Sequence, residues 1–175
     1  MNEDYSRYFS IFSQVSKAIH SGENTAEVLE QIVTHITEIL EARGCIFWIV
    51  DTCKKSIESQ ISHGFSYRSL ECVDYDTLVT ILDPAATDMV FVENAREDER
   101  IPDLERLGKR RVGSINGFFF KIAGPYTGIL AVYNFSSYKQ LAQHQKELIR
   151  ALGEQGAIAL QRTLAYDEKM LESLR

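Results

Sequence analysis

The stretch GSINGFFFKIAGPYTGILAVYNF, residues 113–135, constrains the fold more than any other part of the chain. Two apolar runs, 114–122 and 127–135, flank Ala123-Gly124-Pro125-Tyr126. Proline pre-sets φ and glycine enters conformations closed to other residues, so this dipeptide marks a turn and the whole stretch a β-hairpin. Lys109, Arg110 and Arg111 lie just upstream, which raises the question of a phosphate loop. The glycines of Gly113-x-x-x-Gly117 match neither GxxxxGK[ST] nor GxGxxG. They lead into the strand Phe118–Ile122, so no helix N-terminus faces a phosphate there. Gly117 instead relieves crowding and lets another group approach the strand closely. Asn116 sits inside the same strand. A buried amide needs partners, so it either bonds backbone groups or faces a polar ligand.

Upstream, Tyr5, Tyr8, Phe9, Phe12, Val15 and Ile19 recur at helical spacing and predict an amphipathic helix over Tyr5–Ile19. Asn24, with Glu27 three residues on, predicts a capping box opening a second helix. Leu29, Ile32, Val33, Ile36 and Leu40 form its apolar stripe, and Gly44 is expected to end it. CIFWIVD (45–51) reads as a central strand. Through a turn at Thr52–Lys55 it leads to the alternating SIESQISHG (56–64), an edge-side strand. The segment 65–112 is the least regular, with a short helix around Asp76–Leu82 stopped by Asp83-Pro84, a strand in MVFVEN (89–94) and the charged AREDERIPDLERLG. Long connections of this kind are characteristically lids or binding loops. Ser137 and Gln140 predict the start of a long C-terminal helix with Leu141, Leu148, Leu152, Ala159, Leu164 and Met170 along one face. Its part beyond about residue 160 outruns one small domain and is expected to pack on Tyr5–Ile19, a second subunit or both.

Composition excludes several function classes. Nineteen Lys and Arg against twenty-five Asp and Glu leave a net charge of −6, against nonspecific nucleic-acid binding, which rests on neutralised phosphates. No apolar run reaches the roughly 18 residues that span a bilayer. The acidic MNEDYSRYFS has no apolar signal core, so a cytoplasmic protein is expected. Cys45, Cys53 and Cys72 form no CxxC, and with His20, His35, His63 and His144 they give no zinc spacing. Reduced thiols, no metal and no cofactor follow as expectations.

The order helix, helix, strand hairpin, irregular lid, strand, strand hairpin, helix resembles the GAF domain, a small-molecule sensor module. GCIFWIVD is similar to that family's first strand, with Asp51 closing it. VFVENAREDERIP is similar to its segment ahead of the lid helix. VGSINGFFFKIAGPYTGILAVYN resembles its central hairpin, with fourteen residues from Ser114 to Gly128. The likeness covers roughly residues 25–162. Asn94 replaces a common Asp and Phe119 a common Pro, which implies a lid and pocket unlike those of the best-known members.

The resemblance implies an α+β fold, profilin-like and related to PAS domains: an antiparallel sheet of five or six strands, helices on one face and the 65–112 lid on the other. The domain would run over 23–162, between an N-terminal helix (1–22) and a C-terminal extension (163–175). By likeness to bilin-binding relatives, Ile46 and Trp48 face the pocket, while Cys45, Phe47 and Ile49 face the helices. The same parity adds Ile115, Gly117 and Phe119 on one hairpin strand and Ala131 and Tyr133 on the other, with Asn116 a further candidate. Trp48 and Tyr133 either enclose an aromatic or amphipathic ligand or simply fill a closed core. Arg111 at the pocket edge either pairs with an anion or is solvated. The Cys-His dipeptide of bilin-binding members and the Asn-Lys dipeptide of cyclic-nucleotide members do not occur. His63 is the nearest candidate for an axial haem ligand, although a surface or capping role suits it better. The expected function is a regulatory domain binding an unidentified small molecule and relaying its state through the terminal helices of a homodimer, to a separate kinase, cyclase or transcription factor. The alternatives are a ligand-free dimerisation scaffold and an enzyme like the free methionine sulfoxide reductases, through Cys53 or Cys72.

Overall fold

The computed structural model describes residues 2–22, 24–65, 73–85, 88–101 and 112–173, with side chains from residue 5 to 164 among them. Cys72 and Arg111 lie outside the described residues, as does the side chain of Met170.

Five strands form one antiparallel sheet in the order β2-β1-β5-β4-β3: β1 Gly44–Asp51, β2 Ser56–His63, β3 Met89–Val92, β4 Ser114–Ala123 and β5 Tyr126–Asn134. The opening stretch therefore supplies β4 and the central strand β5. Their turn is the two residues Gly124-Pro125, with Gly124 at φ +55°. The predicted strand at 45–51 is flanked on both sides, whereas β2 is an edge and its residues are half-buried or exposed. Asp51 closes β1 for a visible reason. Its Oδ1 accepts from the backbone N–H of Cys53 and Lys54, both at 2.9 Å, and so shapes the turn into β2.

Among the described residues four helices accompany the sheet: α1 Asn2–His20, α2 Thr25–Ile39, α3 Tyr75–Ile81 and α4 Gln143–Ser173. α1, α2 and α4 form a layer on one face, where strand alternation sends Cys45, Phe47, Phe118, Phe120, Leu130 and Val132. There they meet Val15, Leu29, Ile32, Ile36, Ile149 and Leu152, all fully buried. Each large side chain removed from water in this way contributes about 1.5–3 kcal/mol. Tyr8 stacks on His144 with ring centroids 5.7 Å apart, and Thr25 Oγ1 meets Thr163 Oγ1 at 2.5 Å. α1 and α4 therefore run in the same direction, and α2 runs against both. The remainder of α4, to Ser173, continues past the end of α1.

Two boundaries and one cap detail differ from the sequence expectation. α2 ends at Ile39 with Leu40 as cap, and Glu41 rather than Gly44 takes the left-handed position, at φ +50°. Gly44 instead opens β1, where a Cβ would lie 2.7 Å from the carbonyl of His63. Asn24 caps α2 by accepting from Ala26 N at 2.8 Å, without a reciprocal bond from Glu27 among the described contacts. α4 begins at Gln143, not at Ser137–Gln140. Tyr138 is held at φ +59° with its N–H on the Glu93 carbonyl, 2.6 Å away, which ties the chain to the end of β3. The helix can start only after this anchor, and there Gln145 Oε1 accepts from Ala142 N–H at 2.9 Å as a side-chain cap.

Candidate functional site: the compartment between sheet and lid

The opposite sheet face carries a second apolar cluster, separate from the helical one. Ile46, Trp48 and Val50 of β1, Ile129, Ala131 and Tyr133 of β5 and Ile115 of β4 supply its floor. Its cover is irregular: Leu78 from α3, Leu82 just after it, Ala95, Ile101 and Val112. Phe119 and Phe65 are half-buried at its margin. Seven of the eight sequence-predicted site residues therefore line one compartment, with Gly117 placed there by register opposite Ala131. Asn116 does not join them. It pairs with Val132, whose side chain is in the helical core, so the amide lies on the helix side of the sheet. The parity of a strand settles this, since neighbours point to opposite faces.

The compartment is closed by its own side chains. A Cβ on Gly117 would stand 2.6 Å from Cδ2 of Leu82, so this glycine is the seat of the lid's leucine. α3 that presents Leu78 and Leu82 is opened by Asp74, whose Oδ1 accepts from Thr77 N–H at 2.8 Å. That hydrogen bond holds the Asp74 carboxyl below its ordinary range. At the other end, Phe65 meets the Tyr133 ring edge-on at 5.0 Å and carries the Arg43 guanidinium 4.9 Å over its face. The Arg43 guanidinium also donates to the Gly64 carbonyl, which fixes the start of the lid. Burial raises the Tyr133 phenol far above its usual range, so it is a neutral donor at any working pH. Leu82, Phe65 and Arg43 were not singled out from sequence. The only signal for Leu82 is that it is the last apolar residue before Asp83-Pro84.

Four buried side-chain polar atoms among the described residues have no partner: Trp48 Nε1, Asn116 Nδ2, and Asn134 Nδ2 and Oδ1. The two asparagines lie on adjacent strands beneath the helices, Asn134 opposite Ser114. Trp48 alone belongs to the lid compartment. Cys45 faces the helices, and burial pushes its thiol far up, which removes the thiolate a nucleophile requires. Cys53 is exposed in the β1–β2 turn. His63 pairs with Cys45 across the strands and its Nδ1 lies 3.4 Å from Thr34 Oγ1 of α2, on the helix side. No cluster of three or more metal-ligating side chains occurs among the described residues. No described helix is long and apolar enough to cross a membrane.

No protein-family profile matches the chain, and no curated protein does. Solved structures match it closely in shape. The GAF domain of a phosphoenolpyruvate-protein phosphotransferase from Coxiella burnetii superposes with a TM-score of 0.71 at 14% identity, covering 93% of this chain and 98% of that one. The GAF domain of a putative sensor histidine kinase from Pseudomonas syringae pv. tomato gives 0.65 at 12% identity over 99% and 94%. The free methionine-R-sulfoxide reductase from Neisseria meningitidis, in complex with its substrate, gives 0.64 at 14% over 89% and 91%. The fold is that of GAF domains: α+β, with an open five-stranded antiparallel sheet.

Proposed function

We propose that this chain is a sensory regulatory domain that takes a small molecule between sheet and lid, without chemistry of its own, and passes its occupancy to α1 and α4 across a homodimer. The observation that carries this reading is the division of the molecule into two cores on opposite sheet faces. One lies under three regular helices. The other lies under an irregular cover whose leucine sits in a glycine-sized recess. Such a cover can open to admit a ligand without disturbing the helical core, and a ligand that holds it closed and ordered shifts the population toward that form. β1, β4 and β5 have side chains in both cores and would transmit the change to the helices. The occurrence of this fold in a sensor histidine kinase supports the same reading. The output partner would be a separate kinase, cyclase or transcription factor.

The reductase alternative draws on the Neisseria enzyme; Cys45 is inert on the helix side, Cys53 is exposed in the β1–β2 turn, and Cys72 lies outside the described residues. Incubation with free methionine sulfoxide is expected to give neither methionine nor a new disulfide. The test of the sensor reading is native mass spectrometry of the purified protein, with hydrogen exchange before and after extraction of any bound molecule. Slower exchange over residues 73–82 in the loaded protein is expected. An empty protein whose lid amides respond to no small molecule would leave the scaffold reading in place.

A further inference from the structure

Trp48 is 1% exposed, and its indole N–H has no acceptor. An indole nitrogen donates and cannot accept, and a buried donor left unmet is destabilising. The surroundings offer no remedy. The buried polar side chains of the described residues are Thr37, Asp51, Ser114, Asn116 and Asn134. Thr37 belongs to α2, Ser114, Asn116 and Asn134 share the helix-facing register, and Asp51 is engaged by Cys53 and Lys54. Among the described residues the lid compartment thus holds one unmet donor, in a wall of Ile46, Ile129, Leu78 and Leu82 beside the neutral phenol of Tyr133.

Resting on the sensor reading above, we propose that the ligand is an uncharged, mainly apolar small molecule whose hydrogen-bond acceptor, a carbonyl or ether oxygen, takes the Trp48 indole N–H. A charged ligand would lose its hydration, and among the described residues no charged side chain is buried on this face to repay it. A ligand offering only donors would leave Trp48 unmet. Space comes from Leu82 swinging off Gly117.

The chain contains one tryptophan, so the spectrum of the ¹⁵N-labelled protein holds a single indole N–H signal, and that signal reports on this site. Three matched probes separate the possibilities: acetophenone, ethylbenzene and benzoate. Acetophenone is expected to move the indole proton downfield and to bind about fivefold more tightly than ethylbenzene, the gain of one hydrogen bond. Benzoate is expected not to bind. In Trp48→Phe, followed through backbone amides, the preference for acetophenone is expected to disappear while ethylbenzene still binds. Equal affinity for ketone and hydrocarbon, an unmoved indole signal, or tighter binding of benzoate would overturn the acceptor proposal and leave the ligand-binding reading standing. If none of the three perturbs the amides of the compartment, both fall together. The wild-type indole signal decides the matter even where Trp48→Phe does not fold.

Discussion

At the scale of single residues, two positions decide how closely the layers approach. Gly153 of α4 lies against the Phe120 ring, and a Cβ there would overlap it. Alanine is the better helix former by about 1 kcal/mol, but overpacking costs about 1–3 kcal/mol. Gly153→Ala is therefore expected to destabilise the protein by about 1 kcal/mol in urea unfolding, against its helix propensity. A stabilised variant would show that α4 can retreat from the sheet. Asn134 is the converse case, a well-packed residue with an unmet amide. Asn134→Leu keeps the branching and heavy-atom count of the side chain and removes two unmet polar atoms, so a gain of about 1 kcal/mol is expected from the same measurement. A loss of that size would mean the amide is bonded in solution.

At the scale of elements, α3 seats its leucines on the sheet, and its own first turn is held by the Asp74 cap. The Thr77 N–H lowers the Asp74 pKa below the ordinary 3.8, so the cap's contribution is complete above that value and is lost as pH falls through the lower folded value. Hydrogen exchange over residues 75–82, corrected for intrinsic rates, is expected to accelerate as pH falls below the ordinary 3.8 and through that lower folded value. Asp74→Asn retains the capping oxygen without the titration and is expected to flatten that response. An identical acid profile in both proteins would place the acid sensitivity elsewhere. Element boundaries also show where sequence reading reaches its limit. The hairpin at 114–135 was legible because alternation and a Gly-Pro turn are local signals. The start of α4 was not, because Tyr138 is anchored to Glu93, a contact between residues far apart in the chain. The family resemblance put Ile46 and Trp48 on the lid side, and strand parity added the other five residues of the compartment. Asn116 was assigned by its chemistry instead, and parity overruled it. Leu82 went unmarked because nothing in its neighbourhood reveals that Gly117 lies opposite.

At the scale of the whole molecule, Tyr5 and Phe9 stand 58% and 73% exposed on α1, an apolar edge open to solvent although the Tyr5 ring tilts toward His144. In the proposed dimer this edge and α4 meet their copies as a helical bundle. Sedimentation velocity at micromolar concentration is expected to give a dimer, and Phe9→Asp to weaken it at least about tenfold. A wild-type monomer at that concentration would remove the relay while leaving the lid compartment untouched. The shared direction of α1 and α4 has a consequence under load. Tension applied between Asn2 and Ser173 pulls the two helices along their axes in opposite senses, so their interface is sheared along its whole length rather than peeled open a turn at a time. Forced unfolding is governed by the unfolding barrier, and the domain should resist pulling from these two points more strongly than from any pair that unzips the edge strand β2.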